Sequence, residues 1–146
     1  MKLYPPFVVL GFVIMMVGFS YPHYSEIHLT SFTTFIGTII IALAITIFVK
    51  ATRLIKLHET TIYPDEQPTF LIEDGIFKYS RNPIYLAMVI FLTGVTTICR
   101  NYYTAIFPFL FAFWVQKKWI FIEERNLKKA FSKKYLKYAQ YTRRWI

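Results

Sequence analysis

Apolar and polar positions alternate along the chain in long blocks. Four blocks are almost wholly apolar, and they cover residues 7–21, 32–49, 84–99 and 102–115. A helix that crosses a bilayer takes about 20 mainly apolar residues. The second block has nearly that length by itself, and the other three reach it with their flanks. The pattern therefore predicts an all-α polytopic membrane protein with about four transmembrane helices.

The connections between the blocks differ greatly in length. Only Arg100 and Asn101 separate the third block from the fourth, which predicts a tight helical hairpin. The loop over residues 50–83 is longer than a connection needs, and loops of that length are often functional. Its apolar cluster around Phe70 and Leu71 argues against disorder.

Residues 117–146 show a different pattern, with polar positions around one apolar stripe. The members of the stripe are spaced four, four and three residues apart: Leu127, Phe131, Tyr135 and Tyr138. This spacing predicts a basic amphipathic C-terminal helix. Glu124 falls on the extension of the stripe, where burying an unpaired charge is costly. Two interpretations stay open: a buried, functional Glu124, or a slightly turned helix with Glu123 and Glu124 solvated and paired with Lys128.

Composition and charge place this tail beside a membrane. The chain is 55% hydrophobic with a net charge of +9, whereas a soluble domain is roughly 45–50% apolar. Residues 117–146 contain ten Lys or Arg and two acids, so most of the excess positive charge lies there. Next to membrane spans, such a tail favours an anionic lipid bilayer over nucleic acid as its partner. Cys99 is the only cysteine, which excludes intrachain disulfides and cysteine-based zinc sites.

Loop charges predict the orientation of the helices. The loop over residues 22–31 has no Lys or Arg, whereas residues 50–83 carry five. Because Lys and Arg are enriched in cytoplasmic loops, both termini and the long loop are expected in the cytoplasm, and the membrane is expected to be the inner one if the organism is bacterial. The outer loop contains His23, Glu26 and His28, which we interpret as polar surface rather than as a metal site.

The third block opens with Arg81, Asn82 and Pro83, an arrangement typical of a helix start. Asn is a favoured N-cap, and Pro is a favoured first helical residue. One interpretation is structural, with Arg81 anchored at the lipid headgroups. The other is functional, because a helix N-terminus presents N–H groups and a positive dipole to a carboxylate or phosphate.

The order of motifs in the second half of the chain is informative. The stretch "PTFLIEDGIFKYSRNPIYLAM", a helical hairpin and the stretch "IEERNLKKAFSKKYLKYAQYTRRWI" follow one another. This succession resembles the isoprenylcysteine carboxyl methyltransferase and phospholipid methyltransferase group, over residues 58–146. Members of that group are integral membrane enzymes that use S-adenosylmethionine. The resemblance implies one membrane-embedded methyltransferase-like domain over residues 1–146.

The resemblance also implies roles for individual residues. The positions matched to the family's cofactor contacts are Thr69, Phe70, Leu71, Ile72, Phe77, Asn82, Pro83, Ile84, Tyr85, Glu123 and Glu124. Arg81, Asn82 and Tyr85 are implied to take part in catalysis. Lys117 is the nearest match to an arginine that the family has before the glutamates, and it is implied to contact the substrate. Asn82 replaces a frequent His of the family, which affects the expected substrate more than the expected cofactor.

The expected reaction is methyl transfer from S-adenosylmethionine to a lipophilic acceptor. A prenylcysteine carboxylate, a phospholipid amine and a small thiol all stay open as acceptors. In-line displacement depends mainly on positioning, so no catalytic triad is required. The chain lacks the G-x-G-x-x-G motif expected of a Rossmann-type methyltransferase. Two other functions stay open: an NADPH-dependent membrane sterol or enone reductase, and a non-enzymatic membrane adaptor whose basic tail binds lipid.

Overall fold

The computed structural model describes residues 4–20, 32–61 and 67–146, and these parts form helices and connections without a β-strand. The α-helices are α1 (Pro5–Ser20), α2 (Phe32–Leu57), α3 (Pro83–Cys99), α4 (Ile106–Val115) and α5 (Phe121–Tyr141). The prediction of an all-α polytopic fold with four apolar helices and a basic C-terminal helix is confirmed. The outer-loop group of His23, Glu26 and His28 lies outside the described residues.

Two helical runs are long and apolar enough to cross a bilayer by themselves. One is α2, whose 26 residues extend about 39 Å at the α-helical rise. This is more than the roughly 30 Å of a hydrocarbon core, and the C-terminal end of α2 carries Lys50, Arg53 and Lys56. The other is the run Tyr102–Tyr141, whose apolar part is α4 with its flanking turns. The helices α1 and α3 are shorter apolar helices.

The chain divides into two compact units, the first of which lies within residues 1–45 and 87–114. In this unit, Phe12 of α1 packs edge-on against two rings of α4. Its ring centroid lies 6.1 Å from that of Phe107 and 5.6 Å from that of Phe111. Edge-to-face aromatic packing of this kind stabilises the contact beyond the area that it buries. Apolar side chains therefore hold α1 against α4.

The helices α2 and α3 approach each other at two glycines of the same unit. A Cβ atom added to Gly37 would lie 2.9 Å from the carbonyl oxygen of Gly94, and one added to Gly94 would lie 2.9 Å from that of Gly37. Small residues allow membrane helices to pack backbone against backbone. The two glycines therefore permit the crossing of α2 and α3.

The turn between α3 and α4 is as short as the sequence predicts. Arg100 adopts a positive φ of 53°, and Asn101 Oδ1 accepts a hydrogen bond of 3.0 Å from the backbone N–H of Tyr103. Thr96 Oγ1 donates to the carbonyl oxygen of Thr104 at 3.3 Å, across the turn. The prediction of a tight connection at Arg100 and Asn101 is confirmed.

The second unit lies within residues 46–86 and 115–146. Its apolar core contains Leu71 from the long loop and the buried rings of Tyr135 and Tyr138 from α5. Three more side chains of α5 pack against this core: Leu127, Phe131 and Ala139. The apolar stripe that the sequence predicts on the tail is therefore confirmed, and it packs against the long loop.

Two irregular turns interrupt the helical run that ends in α5. Residues Gln116–Ile120 form a π-helical turn, in which hydrogen bonds join residues i and i+5. The side chains of α5 therefore emerge at a different angle from those of an uninterrupted α-helix. Ser132 has a non-helical backbone conformation, with φ 41° and ψ −113°. Regular helical spacing alone therefore does not predict which residues the side chains of α5 contact.

Candidate active site

The start of α3 presents backbone donors. This helix begins at Pro83, directly after Asn82, as the sequence predicts. The carbonyl oxygen of Asn82 accepts from the N–H of Leu86 at 3.0 Å, and its side-chain Nδ2 donates to the carbonyl oxygen of Arg144 at 2.9 Å. The N–H groups of Ile84 and Tyr85, in the first turn, donate to no residue within the described ranges. Groups of this kind are suited to an anionic ligand.

Residues 142–146, which we call the C-terminal segment, lie along the stretch that leads into α3. Besides the bond from Asn82, four hydrogen bonds join this stretch to the C-terminal segment and the end of α5. They run from Tyr138 Oη to Phe77 O at 2.6 Å, Thr142 Oγ1 to Lys78 O at 3.3 Å, Ser80 Oγ to Arg144 O at 3.4 Å and Arg81 N to Arg143 O at 3.0 Å. The backbone before α3 is therefore held by residues far along the chain.

Glu124 lies between two guanidinium groups. Arg144 donates from Nε to Oε1 at 3.0 Å and from Nη2 to Oε2 at 2.6 Å. Arg81 Nη2 lies 3.3 Å from Oε1, and both of these side chains are only 14% exposed. Glu124 is therefore neither solvated nor paired with Lys128, so that alternative is wrong. The hydrogen bond to Glu124 raises the pKa of Arg144.

Glu123 has a different environment from its neighbour. Its Oε1 accepts a hydrogen bond of 2.7 Å from the Tyr85 hydroxyl, and it forms no ion pair with a residue that the structure describes. The ring of Tyr85 is parallel to that of Trp119, at 3° and a centroid distance of 6.5 Å. Burial raises the pKa of the Glu123 carboxyl to about 7, against the hydrogen bond from Tyr85, which lowers it, while the charge of Glu124 raises it further. Among the described residues, Glu123 is therefore an acid without a cationic partner, and it lies beside aromatic rings.

The loop residues matched to cofactor contacts divide into two sets. Leu71 and Ile72 are buried, with 4% and 6% of their surface exposed. Thr69 and Phe70 are exposed, and the ring of Phe70 stacks on His58 at a centroid distance of 4.5 Å. The apolar pair thus contributes to the interior of the unit, while the preceding pair lies at its surface.

The structure brings several of the singled-out residues into two bonded sets. Arg81, Asn82 and Glu124 share a network of hydrogen bonds and ion pairs with Arg144 at its centre. Tyr85 and Glu123 form a separate hydrogen-bonded pair. Pro83 and Ile84 belong to the same helix start, and Phe77 adjoins it through its bond to Tyr138. Lys117 is exposed, with Nζ 5.8 Å from the ring centroid of Phe121.

Sequence reasoning missed Arg144 and Trp119. A signal for Arg144 was present, because a glutamate on an apolar stripe requires a cation when it is buried. The sequence offered ten basic residues in the tail as candidates, and spacing did not choose among them. Trp145 also contributes, donating from Nε1 to Gln116 Oε1 at 2.9 Å. That bond fixes the C-terminal segment to the π-helical turn.

Comparison with known families decides the classification. A family model described as phospholipid methyltransferase matches residues 32–134, well over half of the chain. The chain belongs to the phospholipid methyltransferase family. The match includes Arg81, Asn82, Tyr85 and both glutamates, whereas Arg144 lies beyond its end. Neither a search of curated proteins nor a search of solved structures gave a match.

Family membership makes the chain a membrane methyltransferase by class. The apolar helices provide the membrane context, and the family description provides the reaction class. Methyltransferases typically take the methyl group from S-adenosylmethionine. The resemblance to the isoprenylcysteine carboxyl methyltransferase and phospholipid methyltransferase group is thus confirmed at the level of the family.

Proposed function

We propose that the protein transfers a methyl group from S-adenosylmethionine to the amine of a membrane phospholipid. The main structural support for this proposal is the hydrogen bond between Tyr85 and Glu123. This bond joins the start of α3 to the paired acids of α5. The family match supports the reaction, and the lipid named in its description supports the acceptor. A prenylcysteine carboxylate and a small thiol are the comparison substrates in its test.

The donors around the start of α3 suit the amino acid end of S-adenosylmethionine. Arg81 Nε is buried and has no hydrogen-bond partner among the described residues. With the N–H groups of Ile84 and Tyr85, it provides charge-assisted donors for a carboxylate. The acids of α5 provide acceptors for an ammonium group or ribose hydroxyls. The chain's residues thus fit the charged groups of this cofactor.

The bound cofactor would supply an electrophilic methyl group on a sulfonium. Aromatic faces attract such a cation by roughly 0.5–2 kcal/mol, and Phe77 and Tyr85 are the rings that we assign to this role. Residues 69–72 are assigned to cofactor contact from the long loop, and Lys117 is assigned to the acceptor. The chain's own contribution is to bind and orient both molecules, which accounts for much of the acceleration of a displacement reaction.

We place this chemistry on the cytoplasmic side of the membrane, within a single methyltransferase domain. The support is the charge of the loops, since residues 50–83 carry five Lys or Arg and residues 22–31 carry none. Both termini are then cytoplasmic. Single cysteines introduced at residues 2 and 30 test this orientation. When intact cells are treated with a membrane-impermeant thiol reagent, only the cysteine at residue 30 should react.

Calorimetric titration of the purified protein with S-adenosylhomocysteine tests the cofactor site. A variant with both Asn82→Ala and Glu124→Ala should lose affinity by roughly tenfold or more, because each change removes hydrogen bonds to charged or buried groups. Glu73→Ala is the control, since Glu73 pairs with Lys134 at 3.1 Å and is not assigned to the site. If the double variant has a native melting curve and unchanged affinity for S-adenosylhomocysteine, the assignment of Asn82 and Glu124 to the cofactor site is wrong.

Ligand-dependent melting distinguishes the classes of function. A ligand that binds only the folded state raises the melting temperature, so S-adenosylhomocysteine should stabilise the protein and NADPH should not. Stabilisation by NADPH alone would indicate a reductase. Stabilisation by neither would indicate an adaptor. Turnover of phosphatidylethanolamine, compared with a prenylcysteine and an alkyl thiol, then identifies the acceptor.

A further inference from the structure

An exposed surface is built from two stretches that lie far apart in the sequence. Lys78 and Tyr79 belong to the stretch before α3, whereas Tyr141, Arg143 and Ile146 belong to the end of α5 and the C-terminal segment. All five side chains are exposed, and the three largest apolar ones are exposed by 69% to 79%. We call these five residues the surface patch.

Backbone atoms bring the two stretches of the surface patch together. Thr142 Oγ1 donates to the carbonyl oxygen of Lys78 at 3.3 Å, and the N–H of Arg81 donates to the carbonyl oxygen of Arg143 at 3.0 Å. The side chains of the surface patch, in contrast, bond to no residue that the structure describes. The backbone of the patch is therefore fixed, and its polar side chains are available to a ligand.

The charge on these two stretches is positive. Residues 75–83 and 137–146 contain five Lys or Arg and no Asp or Glu. Glu124, at the start of α5, binds the guanidinium groups of Arg81 and Arg144. Lys78 and Arg143 pair with no acid in the described ranges. Two uncompensated cations on adjoining stretches favour an anionic partner.

The position of α3 indicates where that partner lies. This apolar helix begins at Pro83, four residues after Tyr79. Its 17 residues extend about 25 Å, and two more exposed tyrosines, Tyr102 and Tyr103, follow its other end. Tyrosine is enriched at both surfaces of a bilayer. Exposed tyrosines before and after an apolar helix therefore indicate two membrane interfaces, and the surface patch belongs to the one where α3 begins.

We infer that the surface patch binds the headgroups of anionic phospholipids in the membrane that contains the protein. Lys78 and Arg143 provide the charges that meet the lipid phosphates, while Tyr79 and Tyr141 place amphipathic rings at the level of the headgroups. Ile146 adds exposed apolar surface. Each basic residue near an anionic membrane surface strengthens binding roughly fivefold. This inference depends on neither the methyl donor nor the methyl acceptor.

Bound lipid should also stabilise the docked C-terminal segment. Lys78 lies before α3 and Arg143 lies in the C-terminal segment, so headgroups that bind both side chains connect the two stretches. A ligand that binds only the docked form raises the population of that form. The N–H of Arg81 reports on this population, because its acceptor is the carbonyl oxygen of Arg143.

Hydrogen exchange of the whole chain in nanodiscs tests this inference. One set of nanodiscs contains phosphatidylcholine alone, and the other contains an equal mixture of phosphatidylcholine and phosphatidylglycerol. We expect the Arg81 amide to exchange roughly tenfold more slowly in the anionic nanodiscs. The difference should disappear in about 1 M salt, where the Debye length is about 3 Å. Equal exchange in the two lipids at low salt would overturn the inference.

A double variant with Lys78→Gln and Arg143→Gln removes both cations of the surface patch and keeps the backbone acceptors. Its Arg81 amide should exchange at the same rate in the two kinds of nanodisc. The matched control combines Lys128→Gln with Lys129→Gln, which removes the same charge from exposed side chains of α5 outside the patch. The control should keep the difference of roughly tenfold. If both double variants lose it, the net charge of the protein is responsible and the patch is not the binding surface.

Inorganic phosphate distinguishes a lipid headgroup from a soluble anion. Added to the wild-type protein in phosphatidylcholine nanodiscs, it should leave the exchange of the Arg81 amide unchanged. Slower exchange with phosphate would assign the surface patch to a soluble anion and overturn its assignment to lipid. The lipid, salt and phosphate measurements use the wild-type protein, so they decide the question even if the double variant does not fold.

Discussion

Tyr85 and Glu123 lie 38 residues apart in the chain and share a hydrogen bond of 2.7 Å. The bond joins the first turn of α3 to the first turn of α5, so it fixes the acid relative to the helix start that presents backbone donors. Glu123 has no other partner of this strength within the described ranges. Burial raises the pKa of this carboxyl, and the Tyr85 hydroxyl opposes that rise.

Replacing Tyr85 with Phe keeps the ring and removes that hydroxyl. The hydrogen bond lowers the pKa of Glu123, which burial raises to about 7, so the variant should have a still higher pKa. We expect the titration midpoint of the Glu123 carboxyl, followed by infrared difference spectroscopy, to move upward by roughly one pH unit. Tyr79→Phe changes an exposed tyrosine and should leave that midpoint in place. A midpoint that does not move in Tyr85→Phe would show that the Tyr85 hydroxyl does not stabilise the ionised carboxyl.

Glu123 should also make stability depend on pH. Its pKa is about 7 in the folded protein and 4.5 in its ordinary state, so between these values the folded state binds more protons than the unfolded state. The contribution of this group to stability therefore falls as pH rises from 4.5 to 7 and stays low above that range. Glu123→Gln should gain about 3 kcal/mol relative to the wild type between pH 4.5 and pH 8. Melting curves in detergent at the two pH values measure this, and a constant difference would contradict it.

Arg144 is expected to stabilise the second unit through Glu124. Arg144→Ala leaves a largely buried carboxylate with Arg81 as its one cation among the described residues, which should cost about 1–3 kcal/mol and lower the melting temperature. The adjacent Arg143 is the matched control, because its side chain is exposed and only its carbonyl oxygen is bonded. Equal melting temperatures for Arg144→Ala and Arg143→Ala would show that the ion pair does not stabilise the fold.

The crossing of α2 and α3 should not tolerate an added methyl group. In Gly94→Ala the new Cβ atom would lie 2.9 Å from a backbone oxygen of α2, and overpacking of this kind costs about 1–3 kcal/mol. Gly11→Ala is the control, since nothing lies within 4 Å of its added Cβ, and alanine is favoured over glycine in a helix by about 0.5–1 kcal/mol. The two variants should therefore shift the melting temperature in opposite directions. A shift in the same direction would contradict the close approach.

The helices were predictable because their signals are local. Pro83 after Asn82 marks the start of α3, and the two polar residues after Cys99 mark its end. The stripe that contains Tyr135 and Tyr138 follows from regular helical spacing. Each of these signals lies within a few residues of the element that it defines, so a single sequence contains them in full.

The different environments of the two glutamates were not predictable in the same way. The sequence treats Glu123 and Glu124 alike, whereas the structure gives one a tyrosine and the other two arginines. The residues that pair with Glu124 lie far from it in the chain: Arg144 follows it by 20 positions, and Arg81 precedes it by 43. The π-helical turn at Gln116–Ile120 also changes the angle at which both acids emerge. Because the pairing is long-range and the turn is irregular, helical spacing alone does not predict the partners of the two glutamates.

The docking of the C-terminal segment has a consequence for biosynthesis. Asn82 and Ser80 bond to the carbonyl oxygen of Arg144, which follows them by 62 and 64 residues. A ribosome adds about 5–20 residues per second, so the stretch before α3 is made several seconds before its partner. During that interval α3 can enter the bilayer while Glu124 still lacks Arg144. The stretch before α3 therefore acquires these hydrogen-bond partners only after α3 itself has been made.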